Sequence, residues 1–146
     1  MPDLTGLGLS LGVIAAILIV SVVVGLVIGA AFLLLGAVIA SIENRSYGKA
    51  LGSTALYFVA SIVIGVIFGL IPGFREAQVL NVIVQLIIGL LVASLITQAI
   101  FATSFGKALL AQVLAFVFSL VVFGAIAIAI AVGLGVAIQG LNGGGF

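Results

Sequence analysis

The sequence predicts an all-α integral membrane protein with four transmembrane helices, arranged as two copies of one helical hairpin. Three observations predict it: the scarcity of charge, the length of the apolar runs between charges, and a motif that recurs at a fixed spacing. Hydrophobic residues make up 66% of the chain and charged residues 5%, against about 45–50% and about 25% in soluble domains. So few charges cannot form the polar shell that a water-soluble domain needs. Most of the surface is therefore expected to meet lipid, with residues 1–146 forming a single membrane domain.

The first apolar run extends from Leu4 to Ile42 without a charge. Its middle, Val22-Val23-Val24-Gly25-Leu26-Val27-Ile28-Gly29, has single glycines but no turn chemistry. One long helix is expected, roughly Gly12 to Ile42, with Leu4–Leu11 at the interface. Such a helix is near 45 Å long at about 1.5 Å per residue, so it must tilt in or project from a core of about 30 Å. The N-terminus lacks the basic residues of a signal peptide, and the run that follows is too long for one. It reads as a retained first span.

The second run, Ala50 to Phe74, is closed by Pro72-Gly73. The third runs from Ala77 to Gly106, and the fourth from Ala108 onward. Each exceeds the length of about 20 residues that one crossing requires. Barrel strands are excluded, because stretches such as Ile62-Val63-Ile64 are apolar on both faces. The glycine-rich residues 139–146 are expected to form a flexible tail.

The recurring motif is Ser46-Tyr47-Gly48-Lys49-Ala50-Leu51, matched 58 residues on by Ser104-Phe105-Gly106-Lys107-Ala108-Leu109. Ten of the 18 positions from Ser46 to Val63 are identical to their partners. Repeat 1 covers about residues 12–71 and repeat 2 about 77–138. Two crossings separate the motifs, so both belong on one side of the membrane. The repeat is parallel, about a pseudo-two-fold axis along the membrane normal. Arg45, Lys49 and Lys107 at the turns outnumber Arg75 at the central connection, which also carries Glu76. The positive-inside rule then places turns 43–49 and 103–107 in the cytoplasm and both termini outside.

Small residues are expected to hold the bundle together, since burial of apolar surface gives no drive within lipid. The candidates are the Gly25/Gly29 pair, Gly65, Gly69 and Gly73, Gly48 and Gly52, and the Ala108, Ala111, Ala115 stripe. Ordinary packing inside the bundle is the plain reading. An outward stripe that drives self-association is the sharper one.

The residue inventory limits the chemistry. There is no Cys and no His, which removes thiol nucleophiles, His-based nucleophile pairs and most transition-metal ligands. No cofactor or metal and no catalysis are expected. A net charge of +1 gives no footprint for nucleic acid. No ionisable group falls deep in an expected span, which disfavours an ion-coupled transporter.

Two residue sets remain. Ser46 and Ser104 are placed to N-cap the second and fourth helices. With Arg45, Lys49 and Lys107 beside them, these N-termini could hold lipid phosphates, with Tyr47 and Phe105 at headgroup level. Their plainer role is capping and setting topology. Within the spans, Gln78, Asn81 and Gln85 share a face, and Thr97, Gln98 and Gln112 are the other polar positions. Asn81, Gln85, Gln98 and Gln112 serve either as helix–helix contacts or as the lining of a solute path. Two functions follow. One is a structural or accessory subunit that packs with copies of itself or a larger complex, among membrane lipids. The other is a passive carrier or channel unit for a small solute or lipid. Convergence of the amides on a water-accessible cavity would favour the second, and dry pairing the first.

Overall fold

A computed structural model describes residues 4–72 and 78–143, with side-chain surroundings from Ser10 to Gly135. The regular structure among these residues is four α-helices: α1 Leu4–Ile39, α2 Tyr47–Leu70, α3 Gln78–Phe101 and α4 Phe105–Gly143. All four are long and apolar enough to cross a membrane, which fits a multi-pass membrane protein. The apolar residues of α1 surround its whole circumference, as in helices with no water-facing side. The Arg75–Glu76 pair and Gly73 lie outside the described residues.

Two boundaries differ from expectation. Helix α1 begins at Leu4, because isolated glycines weaken a helix by about 1 kcal/mol each without stopping it. It ends at Ile39, not Ile42. Ser41 takes a left-handed conformation, φ 53°. Its N–H donates to the Val38 carbonyl (3.1 Å), and the Ile42 N–H donates to the Ala37 carbonyl (3.0 Å). This is a Schellman cap, closed by Ile42, which is buried against the core. Helix α3 ends in a related way: Ala102 has φ 49°, and the Thr103 N–H donates to the Gln98 carbonyl (3.2 Å). At the far end α2 stops before Pro72, which disfavours helical backbone in the residue preceding it. The backbone of α4 stays helical through Gly143, well into the glycine-rich segment.

The helices form a ring. Each packs on its sequence neighbours, α1 closes against α4, and the diagonal pairs stay apart. The tightest approach is α1 on α4. A methyl group on Gly36 would overlap the Ala111 carbonyl oxygen and stand 3.1 Å from its carbon. Gly89 on α3 makes room for Tyr57 on α2, whose hydroxyl would lie 2.8 Å from a methyl group there. Neither glycine was in the expected set. Of that set, Gly29 packs on the Thr54 methyl, and the Ala108, Ala111, Ala115 stripe is buried. Gly25, Gly48, Gly52, Gly65 and Gly69 have open space where a Cβ would be, so they do not serve packing within the bundle. All five are exposed.

The core is confined to one end. Buried residues run from Ala30 to Ile42, then Ala50 and Ser53, Gly89 to Phe101, and Ala108 to Ala115. All lie beside the hairpin turns. Residues 10–25 of α1 and 120–135 of α4 are exposed throughout.

Candidate functional site

The two motif copies meet at the turn end of the bundle. Ser46 has the extended backbone of an N-cap, φ −151° and ψ 156°, and its hydroxyl accepts from the Lys49 N–H (3.3 Å). Ser104 caps α4 by accepting from the Lys107 N–H at 3.5 Å. Both expected caps are therefore present. The cations, however, turn toward protein carbonyls. Arg45 donates to the Ile42 carbonyl (2.8 Å) and Lys107 to the Ser41 carbonyl (3.1 Å). Lys49 donates to the Asn44 side-chain oxygen and to its backbone carbonyl. Positive charge at the C-terminus of α1 offsets its dipole and occupies orphan carbonyls. Lys107 also ties the second turn to the first. Between the turns lies a polar depression of about 430 Å³, lined by Glu43, Asn44, Thr103, Ser104 and Lys107 among others. The Tyr47 hydroxyl donates to the Val27 carbonyl (3.0 Å), which joins its ring to α1.

The polar residues within the helices do not gather in one place. Gln85 donates to Asn81 (2.7 Å) on its own helix, one turn away. Gln98 is half-buried, and its side chain makes no hydrogen bond among the described residues. Gln112 donates to the Thr97 hydroxyl at 2.7 Å and more loosely to the Ala93 carbonyl at 3.4 Å. Thr97 and Ser53 share a hydrogen bond of 2.9 Å, and both are fully buried. The result is one polar chain across three helices: Ser53 of α2, Thr97 of α3 and Gln112 of α4. Ser53 was not anticipated, since a lone serine after Gly52 gives no signal of a partner 44 residues away. Among the described residues no buried side-chain nitrogen or oxygen lacks a partner. In a low-dielectric interior such bonds strengthen, and losing one partner costs more than the bond contributes.

Next to this chain is a cavity of about 250 Å³ with walls from all four helices, including Leu33, Tyr57, Leu90, Gln112 and Phe116. Of the four amide-bearing residues singled out from the sequence, Gln112 reaches it. Asn81, Gln85 and Gln98 do not line it.

No family model, no curated protein and no solved structure matches the chain.

The geometry can hold helices together and can enclose a small uncharged group. Among the described residues no three His, Cys, Asp or Glu side chains gather.

Proposed function

We propose that this chain is a non-catalytic integral membrane subunit that packs in the bilayer with further copies of itself or with a larger membrane complex. One observation carries the proposal: α1 and α4 are too long for the membrane, and their outer halves, residues 10–25 and 120–135, stay exposed. The apolar span of α1, Ser10–Ile39, has 30 residues, and that of α4, Phe105–Gly135, has 31. These are about 45 and 46 Å long. Fitting them into a core of about 30 Å by tilt alone needs about 48–50°, beyond the usual range of about 0–40°. The 24 residues of α2 or α3 need only about 34°. Kinking or local thickening of the bilayer takes up the rest at a modest cost, and that cost drives some helix–helix association.

The alternative, a passive carrier or channel unit, needs the amides to line one path. Asn81 with Gln85, and Gln112 with Thr97, instead pair off in separate contacts, which favours assembly over transport.

On this reading the repeat is parallel, and the two hairpin turns face the cytoplasm. The depression around Ser104 and Lys107, which Glu43 also lines and which Arg45, Ser46 and Lys49 flank, would receive anionic lipid headgroups through these cations. Each Lys ammonium has three donors, so the carbonyl bonds leave capacity for a phosphate.

Gentle detergent extraction followed by native mass spectrometry tests the assembly. Two or more copies, or a stable complex with other subunits, is the expected result. A single chain at all protein concentrations would refute it. Replacing Lys49 and Lys107 together with Gln should reduce co-purified anionic lipid, and unchanged retention would remove the headgroup site. A cytoplasm-only reporter inserted in turn 43–46 should be active, and the same reporter at the C-terminus should be silent.

A further inference from the structure

The partly open cavity among the four helices has features that helix packing alone does not account for. The Tyr57 side chain projects from α2 across the bundle, with its hydroxyl against Gly89 of α3. Tyr57 lines the cavity, yet its hydroxyl makes no hydrogen bond among the described residues. Every other hydroxyl lining the cavity is engaged: Thr54 with the Ala50 carbonyl (2.9 Å) and Ser119 with the Ala115 carbonyl (2.9 Å). Gln112, also in the wall, donates through Nε2 to Thr97 and Ala93. Its Oε1 accepts nothing among the described residues. Two residues of the wall, Tyr57 and Gln112, thus carry a donor and an acceptor without protein partners, alongside Leu33, Leu86, Leu90 and Phe116.

A second space adjoins it. A groove of about 380 Å³ runs between α1 and α2, lined by Leu18, Val22, Leu26 and Phe58 among others. Thr54 and Tyr57 line both the groove and the cavity. These two side chains therefore border both the outward apolar groove and the cavity, which is itself partly open.

We infer that the cavity is a binding site for a neutral lipid alcohol taken from the bilayer through the α1–α2 groove. The hydroxyl of such a ligand accepts from Tyr57 and donates to Gln112 Oε1, and its apolar chain trails out along the groove. A hydroxyl suits both open groups because it is donor and acceptor at once. A charged ligand is excluded by the absence of any charged residue in the wall, since an unpaired ion in an apolar chamber is costly. The volume is well above the share of one water, about 30 Å³. It lies just under the lower bound of about 300 Å³ for small-ligand pockets, which suits a polar end with its chain left outside. The groove adjoins the outer half of α1, which the assembly reading covers with another chain, but labelling of the cavity and native mass spectrometry of the assembly are read independently, so either can fail without the other.

The test uses the full chain in phosphatidylcholine vesicles with a long-chain primary alcohol that carries a diazirine near its hydroxyl. The matched methyl ether and the matched carboxylate serve as controls. After irradiation and digestion, mass spectrometry locates the labels. The alcohol should label residues 54–61 and 112–119 about fivefold more than either control, the factor expected of one hydrogen bond. Tyr57→Phe should bring alcohol labelling down to the level of the ether, with labelling of residues 126–132, which line neither space, unchanged. Ser119→Leu, which fills the chamber, should abolish the site-specific label. Equal labelling by alcohol and ether, equal labelling by the carboxylate, or full labelling of Tyr57→Phe would overturn the inference.

Discussion

The two halves of α1, on either side of Gly29, are equally apolar and have opposite surroundings. From Ser10 to Gly25 every residue is exposed, with Leu18 at 60%. From Ala30 to Ala40, Ala30 and Ala37 are fully buried and Leu33 nearly so. The difference is side-chain size. The outer half is rich in Val, Ile and Leu, whereas the inner half sets Ala30, Gly36, Ala37 and Ala40 toward the other helices. Helix α4 repeats the contrast, with buried Ala108, Ala111 and Ala115 followed by exposed residues 120–135. Apolarity therefore does not decide where this chain packs on itself. Backbones that can approach closely do.

The contrast can be broken most directly at Gly36. Gly36→Ala should destabilise the bundle by about 2–3 kcal/mol, because the added methyl meets backbone of α4 that cannot rotate away. Gly65→Ala and Gly25→Ala, where the space is open, should stay within about 0.5 kcal/mol of the parent. Thermal unfolding midpoints in detergent compare them, and equal losses at all three sites would erase the distinction between the halves.

Next in size is the polar chain. Thr97→Val strands the Ser53 hydroxyl and leaves the Gln112 amide only its loose bond to Ala93, and should cost about 1–3 kcal/mol. Combining it with Gln112→Leu and Ser53→Ala should recover much of that, since removing all partners leaves nothing unsatisfied. The same unfolding assay reads both, and a triple variant weaker than Thr97→Val would show that the chain is not one unit.

Smaller effects separate the turns from the outer half. Ser41→Gly and Ala102→Gly relieve left-handed strain at the two Schellman caps and should each stabilise by about 0.5–1 kcal/mol. Smallest is the Asn81–Gln85 pair on a single helix. Its replacement by two leucines should change stability by no more than about 0.5 kcal/mol, and a larger loss would mean that the pair holds a neighbouring helix.

The sequence made the four helices, the capping serines and the alanine stripe of α4 legible, because each is a local pattern. It did not show which small residues meet a neighbour. Gly36 with Ala40 and Gly89 with Ala93 have the same spacing as Gly65 with Gly69, yet the first two pairs are buried or packed against and the third is open. Spacing fixes a face, and only the ring of helices decides what covers it. The left-handed caps were hidden for a related reason. Ser41 and Ala102 stand where glycine is usual, and hydrogen bonds at each turn, not residue preference, hold that conformation. Likewise Ser53 and Thr97 meet only through the packing of α2 on α3.

The central claim is that the inner half of the bundle is closed by its own chain and the outer half is covered by another. The chain has no cysteine, so single cysteines can be introduced along α1 and oxidised in native membranes. Cross-linked dimers, or heavier adducts with another subunit, are expected at several positions between Val13 and Val24 and none at Ala30, Leu33 or Ala37. Failure to capture any neighbour along the outer half, or capture as efficient at Ala37 as at Val20, would contradict it.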